Sequence, residues 1–219
     1  MHAPISPAIL YAGTPVVVLS TCNADDSVNL APMSSVWWLG WSCMLGLDAS
    51  SKTVENLRRT GECVLNLASV ETVQQVNRLA KTSGSNPLPA HKQALGYRFE
   101  PDKLGTSGFS THASETVRPP RLNECPITME AKAVAFHPFA GSDPRTSIPL
   151  CAVELTILAV FAHDSVRTPG HPDRIDPDQW RPLIMSFRRF YGLGGECAPS
   201  TLSEGPEEYY APWKFMPKS

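Results

Sequence analysis

The chain alternates between compact apolar runs and polar, turn-rich stretches. Val16 to Thr21 is β-branched and apolar behind Pro15, which predicts a strand. Cys22 to Ser27, CNADDS, supplies Asn and Asp where a tight turn needs them. Val28 to Trp38 then predicts a returning strand and Met44 to Asp48 a third. SSKTVENLRRTGE predicts a short helix. Ser50 and Ser51 stand where a cap is needed, Val54 and Leu57 form an apolar stripe, Arg58 and Arg59 suit the C-terminal end of the dipole, and Gly61 suits the residue beyond it. Cys63 to Leu67 returns as a strand. Glu71 to Lys81, with Val73, Val76 and Leu79 at helical spacing, predicts a second helix.

From Thr82 to Pro120 the chain is rich in Gly, Ser and Pro. It predicts mostly loop, with short order around His91 to Gly96. Ile127 to Phe136 and Leu150 to His163 predict long strands. From Val166 onward proline dominates, and Pro182 to Gly194 is the one ordered-looking island. Several strands with two short helices between them, and no βαβα alternation, predict a mainly β fold: a β-barrel with short helical insertions. Residues 1–165 form the expected barrel domain. Residues 166–219 form an irregular extension that packs on the same domain or on a partner subunit.

Composition narrows the function. A 219-residue chain with 42% hydrophobic residues supports one sizeable core. A net charge of −2 offers no electrostatic footprint for nucleic acid, and no apolar run is long enough to span a membrane. The N-terminus, MHAPISPAILYAGTPVVVLS, lacks the charged start and long apolar run of a signal peptide, so a cytoplasmic protein is expected. The six cysteines are scattered, with no C-x-x-C pair, and most read as small buried hydrophobes; neither a metal site nor a disulfide framework is expected. No G-x-S-x-G, Walker A or G-x-G-x-x-G occurs.

Two stretches carry candidate chemistry. Ser50, Ser51, Lys52 and Thr53 sit where a strand gives way to a helix. There, free backbone N–H groups, three hydroxyls and an ammonium converge. This suits a phosphate monoester, although an ordinary polar cap has the same composition. In NLAPMSS, Pro32 removes a ladder donor, and Ala31, Ser34 and Ser35 have little bulk. A flat ring can therefore approach the backbone, although an edge strand with a bulge also tolerates proline. The two stretches lie within one β-β-α segment and together suit the two ends of a flavin mononucleotide.

In the order of its segments the chain resembles the flavin reductase-like family with the FMN-binding split barrel (Greek-key type). Asn29, Ala31, Pro32 and Ser34 match its N-x-A-P-x-S motif. Thr53, Asn56, Leu57, Thr60, Gly61, Glu62 and Asn66 match its helix-and-strand motif, and Asp102 and Lys103 match a later D-K. The similarity runs from Gly13 to His163 and continues weakly through Pro182 to Gly194. The resemblance implies a homodimer holding FMN near the subunit interface. Asn29, Ala31, Pro32, Met33, Ser34 and Ser35 would line the isoalloxazine and ribityl chain. Ser50, Ser51, Lys52 and Thr53 would hold the phosphate, with Asn56 supporting the helix start. Family members place a basic residue just before this helix; here the chain reads DASSK, and Lys52 is the basic residue at hand.

The implied activity is an NAD(P)H-dependent flavin reductase, passing a hydride from NADH or NADPH to FMN and serving an electron acceptor such as a partner oxygenase. A flavoredoxin-like electron carrier with little NAD(P)H activity is the alternative. His163 ends a strand at a position where family members often carry histidine, and either contacts the flavin or is structural. Trp37 and Trp38 face opposite ways in a strand, so they cannot both touch one ring. Arg188, Arg189 and Tyr191 either meet a nicotinamide dinucleotide or form a surface pair beside a core tyrosine. His171, Asp173, Asp176 and Asp178 fit no calcium-loop spacing and predict a solvated loop. The aromatic end, YYAPWKF, would suit wrapping the other subunit or covering the flavin.

Overall fold

The computed structural model describes residues 2–206; the aromatic end, YYAPWKF, lies outside the described residues. Strand β1 (Ala12–Pro15) leads into β2 (Val17–Cys22), and the CNADDS turn returns the chain as β3 (Val28–Met33). Next come β4 (Val36–Leu39), β5 (Ser42–Asp48), helix α1 (Lys52–Thr60) and β6 (Glu62–Leu67). A 3₁₀ turn at Val70–Thr72 opens α2 (Val73–Leu79). The glycine- and proline-rich stretch holds β7 (Thr82–Ser83), α3 (Ala90–Ala94), β8 (Arg98–Phe99), α4 (Lys103–Ser107), β9 (Thr111–His112) and β10 (Arg121–Leu122). The long antiparallel pair β11 (Ile127–Phe139) and β12 (Leu150–Ala162) follows, then β13 (Ile184–Ser186) and β14 (Arg189–Tyr191).

Seven strands form one antiparallel sheet in the order β3-β2-β6-β11-β12-β5-β4. Its two edge strands are consecutive in sequence. The expected single strand from Val28 to Trp38 is in fact β3 and β4, one at each edge, and Ser34 and Ser35 carry the chain between them. At this step the Gly46 N–H of β5 donates to the Ser35 carbonyl at 2.8 Å, which carries the β4–β5 ladder one residue back toward β3. A Cβ on Gly46 would stand 3.1 Å from that of Ser35, so the crossing needs a small residue on both sides. Beyond it, β3 has no strand on its outer side. The sheet is a split barrel.

One core fills the barrel with Val17, Leu19, Leu45, Leu65, Val153 and Leu155, and α1 contributes Val54 and Leu57 to it. A second core lies on the outer face, where Val16, Val18 and Leu30 meet Val76 and Leu79 of α2 together with Phe109, Leu122 and Leu183. Strand β2 is therefore buried on both faces, which is why it opens on consecutive apolar residues, Val17 to Leu19, rather than on an alternating pattern. The segment after Val166 adds to the same unit. Val166, Ile175 and Trp180 pack on the barrel core, and β13 pairs with β1. Five cysteines are buried, and Cys197 is exposed. Among the described residues no helix is long and apolar enough to cross a membrane.

Strands β13 and β14 join through a two-residue turn with φ of 44° at Phe187 and 70° at Arg188. That is the left-handed pair a tight hairpin requires, built from residues with a Cβ to accommodate. Replacing Phe187-Arg188 by Asn-Gly should stabilise the fold by about 1 kcal/mol, read as a raised midpoint in denaturant. An unchanged or lowered midpoint would show that the Phe187 ring contributes more than its backbone costs.

Candidate functional site

Helix α1 begins with Ser51 as its cap, the hydroxyl accepting from Val54 N–H at 3.3 Å, and ends at Gly61 with φ of 70°. Ser50 is engaged before any ligand arrives: its N–H and its hydroxyl both donate to Asp48 Oδ1, at 2.9 and 2.6 Å. Thr53 is buried under the first turn, where its hydroxyl accepts from Asn29 Nδ2 at 3.2 Å. The same amide nitrogen donates to Thr21 at 3.1 Å. Asn56 spends its amide on Thr21 and Asn23, at 3.1 and 2.9 Å, and so ties the helix to the β2–β3 turn. Two of the recognised motifs, one on β3 and one on α1, thus form a single buried polar junction.

That junction is incomplete. Asn29 is 2% exposed, and its Oδ1 has no hydrogen-bond partner among the described residues. Above it lies the backbone of Gly84, where a Cβ would stand 2.7 Å from Asn29 Oδ1 and 3.0 Å from Lys52 Cγ. Beside it the buried Ser85 hydroxyl is also without a partner. The segment 82–92, expected to be mostly loop with short order beginning at His91, therefore covers the helix start.

It also brings charge. His91 Nε2 and Lys92 Nζ reach Asp48 Oδ2 at 2.9 and 3.1 Å. Burial alone would raise the Asp48 carboxyl, but the bonds from Ser50, His91 and Lys92 outweigh it and hold the group at about 2. Lys52, the basic residue expected to face a phosphate, bonds Glu55 at 2.7 Å in the next turn. The basic groups beside the helix start thus come chiefly from a segment some forty residues away in sequence, which the DASSK stretch could not reveal.

On the other side of the split, Lys103 of α4 donates to the Leu30 carbonyl at 2.9 Å. This carbonyl therefore points off the sheet's edge. Pro32, two residues on, has the same backbone orientation, so its missing N–H falls on the unpaired side and costs no ladder bond. Ala31 and Met33 face inward, half-buried against the barrel core. Ser34 and Ser35 form the crossing, and the Ser35 hydroxyl is 2.7 Å from Tyr11 Oη. Of the tryptophans, Trp37 is 57% exposed while Trp38 packs on the core, the opposite orientations their positions predict.

His163 does not join this group within one protomer. It follows Ala162, whereas Leu150, at the other end of β12, pairs with Asp48. Twelve residues of strand, about 40 Å, separate the two ends. His163 instead lines a cavity of about 310 Å³ on the outer face with His112, Arg121, Asn123 and Phe161. There the Arg121 guanidinium lies 3.6 Å from the Phe161 ring centre, and its Nε is 3.5 Å from the buried Glu130. Neither Arg121 nor Glu130 carried a signal in the sequence patterns.

This end of the split barrel thus combines an edge strand unpaired on its outer side, buried polar atoms without partners at a helix start, and the ammonium groups of Lys52, Lys92 and Lys103. The chain belongs to the flavin reductase-like family: the model of the flavin reductase like domain matches residues 11–194. A Bacillus subtilis (strain 168) protein named YdfE, described as uncharacterized, is 34% identical over 200 residues, covering 91% of this chain and 93% of that one. The flavoredoxin of Desulfovibrio vulgaris (Miyazaki F) superposes with a TM-score of 0.72 at 18% identity, covering 94% of this chain and all of the other. An FMN-binding domain of a flavin reductase-like enzyme from Shewanella baltica gives 0.63 at 18% identity, covering 85% of this chain and 90% of that one. At such identities the likeness is one of fold, and the fold is the expected split barrel.

Gly84→Ala should destabilise the protein by about 1–3 kcal/mol, because its Cβ meets a buried amide oxygen. Gly141→Ala is the control, since nothing lies within 4 Å of the Cβ it would add. Equal melting temperatures for the two variants would mean that segment 82–92 lifts away from Asn29 without cost.

Proposed function

We propose that the protein is an NAD(P)H-dependent flavin reductase that holds FMN in the split between β3 and the start of α1. The observation that carries this reading is the unfinished polar junction at the start of α1. Beside the unpaired edge strand β3, Asn29 Oδ1 and Ser85 Oγ are buried without partners among the described residues. Bound FMN would supply the hydride-accepting ring, and NADH or NADPH the hydride. The chain's own part is positional. Pro32 and the small residues around it leave room along the strand edge, and the inward-facing Ala31 and Met33 fix the strand from behind. Thr53 and the free N–H groups of the first helical turn face the phosphate end, with Ser50 and Ser51 bracing the turn. Hydride transfer between stacked rings needs proximity more than a protein base.

The same reading makes the working unit a homodimer in the cytoplasm. Trp37, Leu39, Trp41, Val134 and Val160 are each at least 41% exposed. Apolar surface of this kind suits a second copy of the chain.

The first measurement is the visible spectrum of the purified protein, before and after FMN and then NADH without oxygen. Binding followed by bleaching at a catalytic rate supports the reductase. Binding with bleaching only by a protein donor points to a flavoredoxin-like carrier, and failure to bind FMN overturns the proposal. Thr53→Ala should weaken FMN binding about tenfold or more, since losing a hydrogen bond to a charged group costs ~1.5–3 kcal/mol. Lys52→Ala should weaken it less, because the Lys52 ammonium already pairs with Glu55. Unchanged affinity in both variants would remove the helix start from the site.

A further inference from the structure

Lys103 is 5% exposed, and its ammonium donates to the Leu30 carbonyl at 2.9 Å on the outer side of β3. Among the described residues no carboxylate lies within ion-pair distance of it. A buried ammonium normally has such a partner, because an unpaired buried charge is costly.

The groups around it can be named. Strand β3 carries no titratable residue. From α3 comes Lys92, which repels it, and from the turn before α4 comes Glu100, which attracts it without pairing. On its own helix Asp102 is occupied in capping the Gly105 N–H at 2.8 Å. Arg78 of α2 holds the Ser107 carbonyl at the far end of α4. Burial first, and Lys92 second, bring the Lys103 ammonium down to about 8.

We propose that Lys103 is a positioning and charge-selecting residue of the cleft: it pins the free edge of β3 through the Leu30 carbonyl, and its unpaired charge makes the cleft prefer an anionic occupant. The inference rests on the flavin reading above. It assigns Lys103 two separable effects, a donated hydrogen bond that shapes the strand and a positive charge that acts through space.

The charge has a signature in pH. Without ligand, the folded protein releases the Lys103 proton near pH 8 while the unfolded chain keeps it to higher pH. Between those values the unfolded state binds more protons, so the stability of the free protein rises with pH. An anion in the cleft favours the protonated amine, so FMN binding takes up a proton. Affinity is then constant below about pH 8 and falls above it, by up to about tenfold per pH unit. Stability and affinity move in opposite directions over the same range, which a merely structural lysine would not produce.

The test titrates wild type, Lys103→Gln and Lys103→Met with FMN and with riboflavin, by flavin fluorescence, from about pH 7 to about pH 9. Glutamine keeps a donor for the Leu30 carbonyl and loses the charge. The expected result is a roughly tenfold loss of FMN affinity in Lys103→Gln, with riboflavin binding unchanged and the pH slope gone. Lys103→Met should lose affinity for both. Wild-type FMN-to-riboflavin preference and pH slope in Lys103→Gln would overturn the charge selection. Wild-type riboflavin affinity in Lys103→Met would overturn the positioning role. If the wild type binds neither flavin, the flavin reading itself fails; if it binds FMN with no pH slope, the inference about Lys103 fails alone.

Discussion

One crossing governs this molecule. The seven-stranded sheet has β3 at one edge and β4 at the other, and the chain steps directly from one to the other through Ser34 and Ser35, beside the Gly46 N–H that bonds the Ser35 carbonyl. Because two neighbouring strands in sequence must reach opposite edges, they cannot pair with each other along their length. The rest of β3 is left without a strand partner on one side among the described residues. Everything in the cleft answers to that edge: the Lys103 bond to Leu30, the proline at a position where no N–H is needed, and the turn at Gly84 that closes over Asn29.

The cleft is held from below by polar contacts rather than by packing alone. Thr21, Asn29, Thr53 and Asn56 come from three elements and meet in one buried cluster. Such clusters hold geometry tightly when satisfied and cost free energy when they are not. Here the cluster is satisfied except at Asn29 Oδ1, which faces the segment lying over the helix start. The arrangement fixes β3 relative to α1, so the strand and the helix start keep their spacing.

Much of this was legible in the sequence, for identifiable reasons. The CNADDS turn, the capped helix α1 and the strands around it carry strong local signals, and the structure places them within a residue or two of expectation. The motif residues Asn29, Thr53 and Asn56 do come together. The misses are equally physical. The break at Ser34 and Ser35 has no turn signature, because it is imposed by sheet closure rather than by local preference. Helix α4 is short, and only its Asp102 cap marks it. The grouping of His91, Lys92 and Lys103 was invisible because a glycine- and proline-rich segment has no periodicity to show which way it folds back. His163, expected either to contact the flavin or to be structural, sits at the opposite end of β12 from the residue that pairs with Asp48.

The buried cysteines have a consequence of their own. Desolvation pushes the Cys43 thiol up to about 12, and raises Cys63 and Cys125 as well. At neutral pH the reactive thiolate of Cys43 is then a fraction on the order of one in 10⁵. Reduced flavins react with oxygen to give peroxide, which attacks thiolates and leaves thiols nearly untouched. Packed into the barrel and its outer core, these sulfurs serve as small apolar filler that such an oxidant attacks only slowly.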